Sequence, residues 1–210
     1  MAGANPQRQP ESDPDQSDES RERLIAAASK AAAEHGYREV TVERIVRYAG
    51  VPATAFHAYF TSPEQAMLAA FDDFLEGIWT EVEEACEVHR QWPQKVKAAI
   101  GGVLAALMEA SGLARAFMVE AGTASLAATE RMLSVVDDFA TVLRRGREIY
   151  PSAAALPEPT ERALVGGVAS IVSAHLLAEN ARALAELESQ LVEILLTPYI
   201  GADEARRVAS

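Results

Sequence analysis

The sequence predicts an all-α protein: an N-terminal head of three helices, then a C-terminal helical bundle of about six more. Three observations carry that expectation. Ala, Leu, Glu and Arg dominate long runs, and these side chains lose little rotamer freedom in a helix. Val and Ile occur singly or in short pairs, so no stretch argues for a sheet. Apolar residues recur three and four positions apart from Leu24 to Leu195. With 49% hydrophobic residues among 210, the chain has enough apolar surface for a sizeable core.

Residues 1–19 are rich in Pro, Asp, Gln and Ser, and carry one Arg against five acids. They cannot bury enough apolar area to offset ordering entropy, so a disordered tail is expected. The first helix is expected over 21–35, with Leu24, Ile25, Ala28 and Ala32 on one face and Gly36 closing it. Thr41 suits the N-cap of a second helix, 42–48, whose apolar face is Val42, Ile45, Val46 and Ala49. Gly50 supplies a sharp turn, Val51 plugs the elbow, and Pro52 leads into a short third helix, 53–59. Ser62-Pro63-Glu64-Gln65 reads as cap, first helical residue and capping box of a long fourth helix reaching about His89.

A nearly all-apolar fifth helix follows over 93–110, then helices over 113–120, 123–149, 160–180 and 182–196, and a short terminal one after Gly201. Thr197-Pro198 is expected to stop the helix before it. Arg144, Arg145 and Arg147 lie in the last turns of the 123–149 helix, favourably placed against its dipole.

Composition narrows the function classes. The lone Cys86 cannot form an internal disulfide and excludes a cysteine metal cluster. The polar, acidic first residues are unlike a signal peptide, and no apolar run approaches a membrane span, so a cytoplasmic protein is expected, with no membrane partner. None of His35, His57, His89 and His175 has a Glu three residues before it, as a di-iron bundle needs. No phosphate loop, nucleophile elbow or zinc-protease motif is present, so neither enzyme activity nor a cofactor is expected. The net charge of −12 is unevenly spread: residues 20–63 carry six basic side chains against four acids, and the body is acidic. A mildly basic head on an acidic body is compatible with nucleic-acid binding by the head alone.

Thr41, Ile45, Ala49-Gly50-Val51, Phe56, Tyr59-Phe60, Ser62 and Glu64 form the frame of a helix-turn-helix. This pattern resembles the DNA-binding motif of the tetracycline-repressor (TetR) family of transcriptional regulators. The order of the helices and the Leu-Thr-Pro-Tyr-Ile-Gly near the end are also similar to that family. The resemblance implies a DNA-binding domain over 20–66 and a ligand-binding and dimerisation domain over 67–210. It implies a double-stranded, palindromic operator as partner, a small-molecule effector, a homodimer, and repression relieved by the effector.

By position, the expected DNA contacts are Thr41, Arg44 and Arg47 near phosphates, and Pro52, Ala53, Thr54, Ala55, His57 and Tyr59 on or beside the reading helix. The reading surface departs from the family. Pro52 stands where Ser is usual, Ala53 and Ala55 where polar residues are, His57 where Tyr is, and Pro63 where Lys is. The donor-poor helix leaves a second reading open, a helical ligand-binding or adaptor protein with weak or no DNA binding.

The implied effector pocket would draw on Phe71, Phe74, Trp79, Met108, Phe117, Met118, Met132, Phe139 and His175, with Glu120 and Asn180 as further polar groups. Ala163, Gly167, Ser170 and Ala174 form a seam of small side chains that lets another helix approach closely. Together with Leu187, Leu191 and Ile194 it is the expected dimer face.

Overall fold

The helical spine that joins head to body is α1 (Pro14–His35), whose buried face is Leu24, Ile25, Ala27, Ala28, Ala31 and Ala32. In this computed structural model residues 14–178, 180 and 183–210 are described, with side chains from residue 18. The expected disordered tail therefore falls largely outside the described residues, at 1–13. Residues 14–19, expected in that tail, are helical instead: Pro14 has the backbone angle of a first helical residue and α1 starts there.

A 3-10 turn (Tyr37–Glu39) leads to α2 (Val42–Ala49) and α3 (Ala53–Tyr59), which complete the head. The long α4 (Pro63–Glu87) runs from head into body and buries Met67, Phe71, Leu75, Ile78 and Val82 along one stripe. Ser62 caps it as expected, its hydroxyl accepting the Gln65 amide at 3.2 Å. The capping box closes differently: the Gln65 side chain accepts the amide of Thr61, one residue before the cap, at 2.8 Å.

The body continues with α5 (Trp92–Glu109) and α6 (Ser111–Arg115), then a π-helical turn over Ala116–Ala121. The helix expected over 123–149 is broken twice. After α7 (Gly122–Ala124), Ser125 is extended and caps α8 (Leu126–Arg144) by accepting the Ala128 amide at 3.1 Å. The chain turns again at Arg145 into α9 (Gly146–Ile149). Position 146 must be Gly: a Cβ there would lie 2.5 Å from the Trp92 ring and 2.8 Å from Tyr199.

A Pro-rich loop with a 3-10 turn at Pro151–Ala155 leads to α10 (Thr160–Leu177), α11 (Leu184–Ile200) and α12 (Ala202–Ala209). Thr197-Pro198 does not stop α11, contrary to expectation. Pro198 lies in the last turn, where its missing N–H costs one bond, and Gly201 at φ +79° ends the helix. Among the described residues there is no strand, and no single helix is long and apolar enough to cross a membrane.

The far end of the body is organised by a charge that the sequence pattern hides. Glu161, in the first turn of α10, is 0% exposed. Arg147 grips it with two donors at 2.7 and 2.8 Å, and the Tyr199 hydroxyl donates at 2.8 Å. Arg147 also donates to the carbonyls of Leu156 and Pro157, which fixes the loop before α10. Burial pushes the Glu161 carboxyl up, but the Arg147 and Tyr199 bonds outweigh it and hold the pKa at about 2 against an ordinary 4.5.

A carboxyl acidified by folding adds stability that is complete above its unfolded value and vanishes as pH falls through its folded one. Wild-type stability is therefore expected to decline between pH 4.5 and 2. Glu161→Gln should flatten that part of the profile in urea denaturation. Glu161→Ala, which leaves the half-buried Arg147 guanidinium without its partner, is expected to lower the urea midpoint at pH 7.

Candidate nucleic-acid interface and effector site

Thr41 builds the start of the helix-turn-helix. Its extended backbone and its hydroxyl, which accepts the Arg44 amide at 3.3 Å, cap α2. Gly50 ends α2 in the left-handed region at φ +67° and returns its amide to the Val46 carbonyl. A Cβ at that position would also meet the Arg23 guanidinium at 3.3 Å. Arg23 reaches from α1 to the Ala49 carbonyl at 2.6 Å, so the first helix holds the end of the second. Ile45, Phe56 and Phe60 are buried beneath and fix the angle between α2 and α3.

What remains outside is the reading surface. Pro52, Ala53, Thr54 and His57 are exposed on α3, with Ala58 beside them, while Ala55 and Tyr59 are half-buried. Thr41 and Arg47 are exposed. Arg44 is less free than its position suggests: its guanidinium folds back on the Glu39 carbonyl and lies 4.0 Å from the Glu39 carboxylate. This arrangement can offer the hydroxyls of Thr41 and Thr54, one imidazole, a few methyl groups and the Arg47 guanidinium to a duplex.

Among the residues expected at the pocket, Phe71, Phe74 and Phe117 form one group of touching rings and Trp79 and Phe139 another. Phe117, on the π turn, packs on Phe71 at 4.7 Å and Phe74 at 6.2 Å between ring centres. Trp79 stacks on Phe139 at 4.2 Å. Met108, Met118 and Met132 pack on the same core. His175 does not join them; its Nδ1 lies 2.9 Å from the carbonyl of Ile171 on its own helix.

A small void between α4, the π turn and α8 is lined by Tyr37, Met67, Leu68, Phe71, Phe117, Ala121 and Ala128, and it has no room for a water molecule. Of the residues expected at the pocket, Phe71 and Phe117 line this void and the others do not. Of the two further polar groups, Glu120 faces the head rather than the void, and Asn180 is exposed beyond the end of α10.

An open cleft of about 410 Å³ lies beside the void, between head and body. Tyr37, Arg38, Pro63 and Glu64 line it from the head side, and Thr123, Ala124 and Ser125 from the body. The residues that join the two sides were not legible as a group. Glu120 accepts the Tyr37 amide at 2.7 Å, and Arg38 donates to the Thr123 carbonyl at 2.9 Å. Ser125 donates to Glu64. The one local signal was Ser125 before an apolar run, a cap pattern inside a stretch read as continuous helix.

On the expected dimer face, Ala163, Gly167, Ser170 and Ala174 are exposed along α10, next to Leu177, which is 66% exposed. Ile194 is 41% exposed, but Leu187 and Leu191 are not available to a second subunit. Leu191, 1% exposed, is buried in the core of its own chain, and Leu187 beside it. The physical reason is that α11 turns its leucine stripe inward against α5.

A three-helix head with a capped, Gly-turned helix pair and a bared third helix defines a helix-turn-helix DNA-binding domain on a helical body. Residues 24–70 match the model for the DNA-binding domain of bacterial regulatory proteins of the tetR family. The head is thus similar to the DNA-binding domain of the tetR family, and the fold of the whole chain is similar to that of solved TetR-family regulators. No curated protein sequence matches.

Among solved structures, the fatty acid degradation regulator FadR from Bacillus halodurans is similar with a TM-score of 0.72 and 20% identity, over 84% of this chain and 94% of that one. FadR from Bacillus subtilis in complex with stearoyl-CoA has a TM-score of 0.68 and 19% identity, over 86% and 98%. A TetR-family regulator from Syntrophomonas wolfei has a TM-score of 0.71 and 14% identity, over 88% and 96%.

Gly50→Ala places a side chain in a backbone conformation that costs it about 1–2 kcal/mol. The expected outcome is a loss of stability of that order in thermal melts, with the helix-turn-helix angle disturbed.

Proposed function

We propose that the chain is a homodimeric repressor released from its operator by a small amphipathic molecule that opens the closed void between α4 and the π turn. The observation that carries this reading is the position of α4: it begins at the head and its Met67 and Phe71 line the void. A molecule that enters can favour an unbound head only by the difference in its affinity for the two arrangements. A long-chain acyl thioester is the class to test first, because the lining is aromatic and aliphatic, and because Bacillus subtilis FadR, of similar fold, is seen with stearoyl-CoA. Residues 20–66 would then bind DNA, and 67–210 would bind effector and partner.

For the DNA contacts, we assign phosphate binding to Thr41, Arg44 and Arg47, and groove contact to Pro52, Ala53, Thr54, Ala55, His57 and Tyr59. Methyl groups of Ala53, Thr54 and Ala58 suit thymine C5-methyls, a contact that needs no donor. For the dimer, the small-residue seam of α10 with exposed Leu177 and Ile194 supports a helix-to-helix interface with a second copy.

Selection from a randomised duplex pool tests the first reading. The expected result is an A·T-rich palindrome, with affinity falling on the order of 100-fold between 50 and 200 mM salt if two Arg per protomer meet phosphates. His57→Ala should weaken binding to it with helicity unchanged, and stearoyl-CoA should release wild-type protein. Recovery of no preferred sequence would remove the repressor reading in favour of an adaptor.

Leu177→Glu tests the interface. A charge on the α10 face should turn a dimer into a monomer in sedimentation equilibrium and abolish palindrome binding at equal protein concentration. A dimer that persists in that variant places the interface elsewhere.

A further inference from the structure

The π turn and α7 together form a strap, residues 116–125, with two unlike faces. On its inner face Phe117 and Ala121 line the apolar void, and Phe117 is wedged against Phe71 and Phe74. On its outer face the polar groups reach the head. The Glu120 Oε2 accepts the Tyr37 amide at 2.7 Å while Oε1 pairs with Arg115 at 2.9 Å. Thr123 receives Arg38 through its carbonyl at 2.9 Å and its hydroxyl at 3.2 Å. The Ser125 hydroxyl, which ends the strap, is bonded to Glu64 at the start of α4.

The seat of Glu120 is made for it. Gly36 stands at φ +86°, and a Cβ there would lie 2.6 Å from Glu120 Oε2. The carboxylate can reach the Tyr37 amide only because position 36 has no side chain. Phe117 and Glu120 lie in one turn of a π helix, a geometry that carries one residue more than an α turn and recurs at functional sites. Displacing Phe117 from Phe71 therefore rotates or shifts the turn that holds Glu120.

The head side is also incompletely bonded. The Tyr37 hydroxyl is buried beside Ser125 and Glu64, outside the geometry of a full hydrogen bond.

We propose that residues 116–125 transmit occupancy of the void to the head, and that Glu120 is the positioning residue, acting through the Tyr37 amide at the exit of α1. This rests on the reading of the void as the effector site. It adds a route to the head that runs through the α1–α2 turn, separate from the body of α4.

Hydrogen exchange on the full chain tests it without DNA or effector. Ala121→Met overfills the void from the strap side and stands in for an occupant. The expected result is exchange in 36–41 about tenfold faster than in wild type, with Glu120→Ala alone, which removes the acceptor of the Tyr37 amide, giving a similar rise. The double variant should show no further increase, because the link is already cut. Leu68→Phe overfills the void from the α4 wall and asks the same question if Ala121→Met does not fold.

Exchange that rises in 116–125 but stays at the wild-type rate in 36–41 would overturn the proposal. So would rises that multiply in the double variant. A failed operator selection would sink the repressor reading while leaving these exchange results decisive for the strap.

Discussion

The approach of α6 to α1 at Gly112 is the constraint on which the head–body geometry depends. A Cβ at position 112 would lie 2.6 Å from the Ala33 carbonyl oxygen, so the two helices meet backbone to backbone. Ala28, Ala31 and Ala32 extend the same close fit along α1. Such contact leaves little slack, because packed interiors resist small displacements and respond by switching arrangement. The last turns of α1 therefore belong to both units at once. The same helix carries Arg23's grip on the helix-turn-helix near its middle and the Gly36–Tyr37 turn at its end.

The opposite end of the body is anchored by different physics. Glu161, Arg147 and Tyr199 form a dehydrated cluster below Trp92 and Tyr150, whose rings pack around it. A buried pair of this kind adds little net stability over a well-packed apolar core but penalises any arrangement that breaks it. It holds α9, the Pro-rich loop, α10 and α11 in one register. The exposed seam of α10 is consequently presented on a rigid base, while the strap at the other end of the body is held by exposed or half-exposed polar bonds. Rigidity and adaptability are thus placed at opposite ends of one bundle.

Much of this was legible in the sequence, for identifiable reasons. Thr41, Gly50 and Ser62 act locally, through caps and a left-handed turn, and local rules predict local structure. The head, its core and the length of α4 followed from them. The breaks at Ser125 and Arg145 did not, because a stretch of good helix formers gives no sign that tertiary bonds have cut it; Ser125 is taken by Glu64, sixty-one positions away in sequence. Glu161 was hidden for the same reason. A Glu in a first helical turn reads as a dipole partner, and only the fold brings Arg147 and Tyr199 to it. Leu187 and Leu191 misled because a leucine stripe is equally suited to the chain's own core and to a second subunit, and α5 claims it here. Glu120, expected among the polar groups of the pocket, instead faces the head from the π turn.

The charge distribution fits the geometry of α4. The acids on its exposed side, from Asp72 to Glu87, would oppose a phosphate backbone if they lay near it. Most of them do not, because a 25-residue helix spans roughly 37 Å. At physiological salt, charges are largely screened beyond about 8 Å. A body of strongly negative charge can therefore sit on a head that contacts DNA without cancelling its attraction. What it cannot do is add to it. The head has few free cations, since Arg23 and Arg38 are committed to carbonyl oxygens within the protein. In the proposed dimer, a weak surface duplicated across two subunits would bind more strongly, because the second head engages at a high effective concentration. Whatever alters the spacing of the two heads in that dimer would act on that source of affinity.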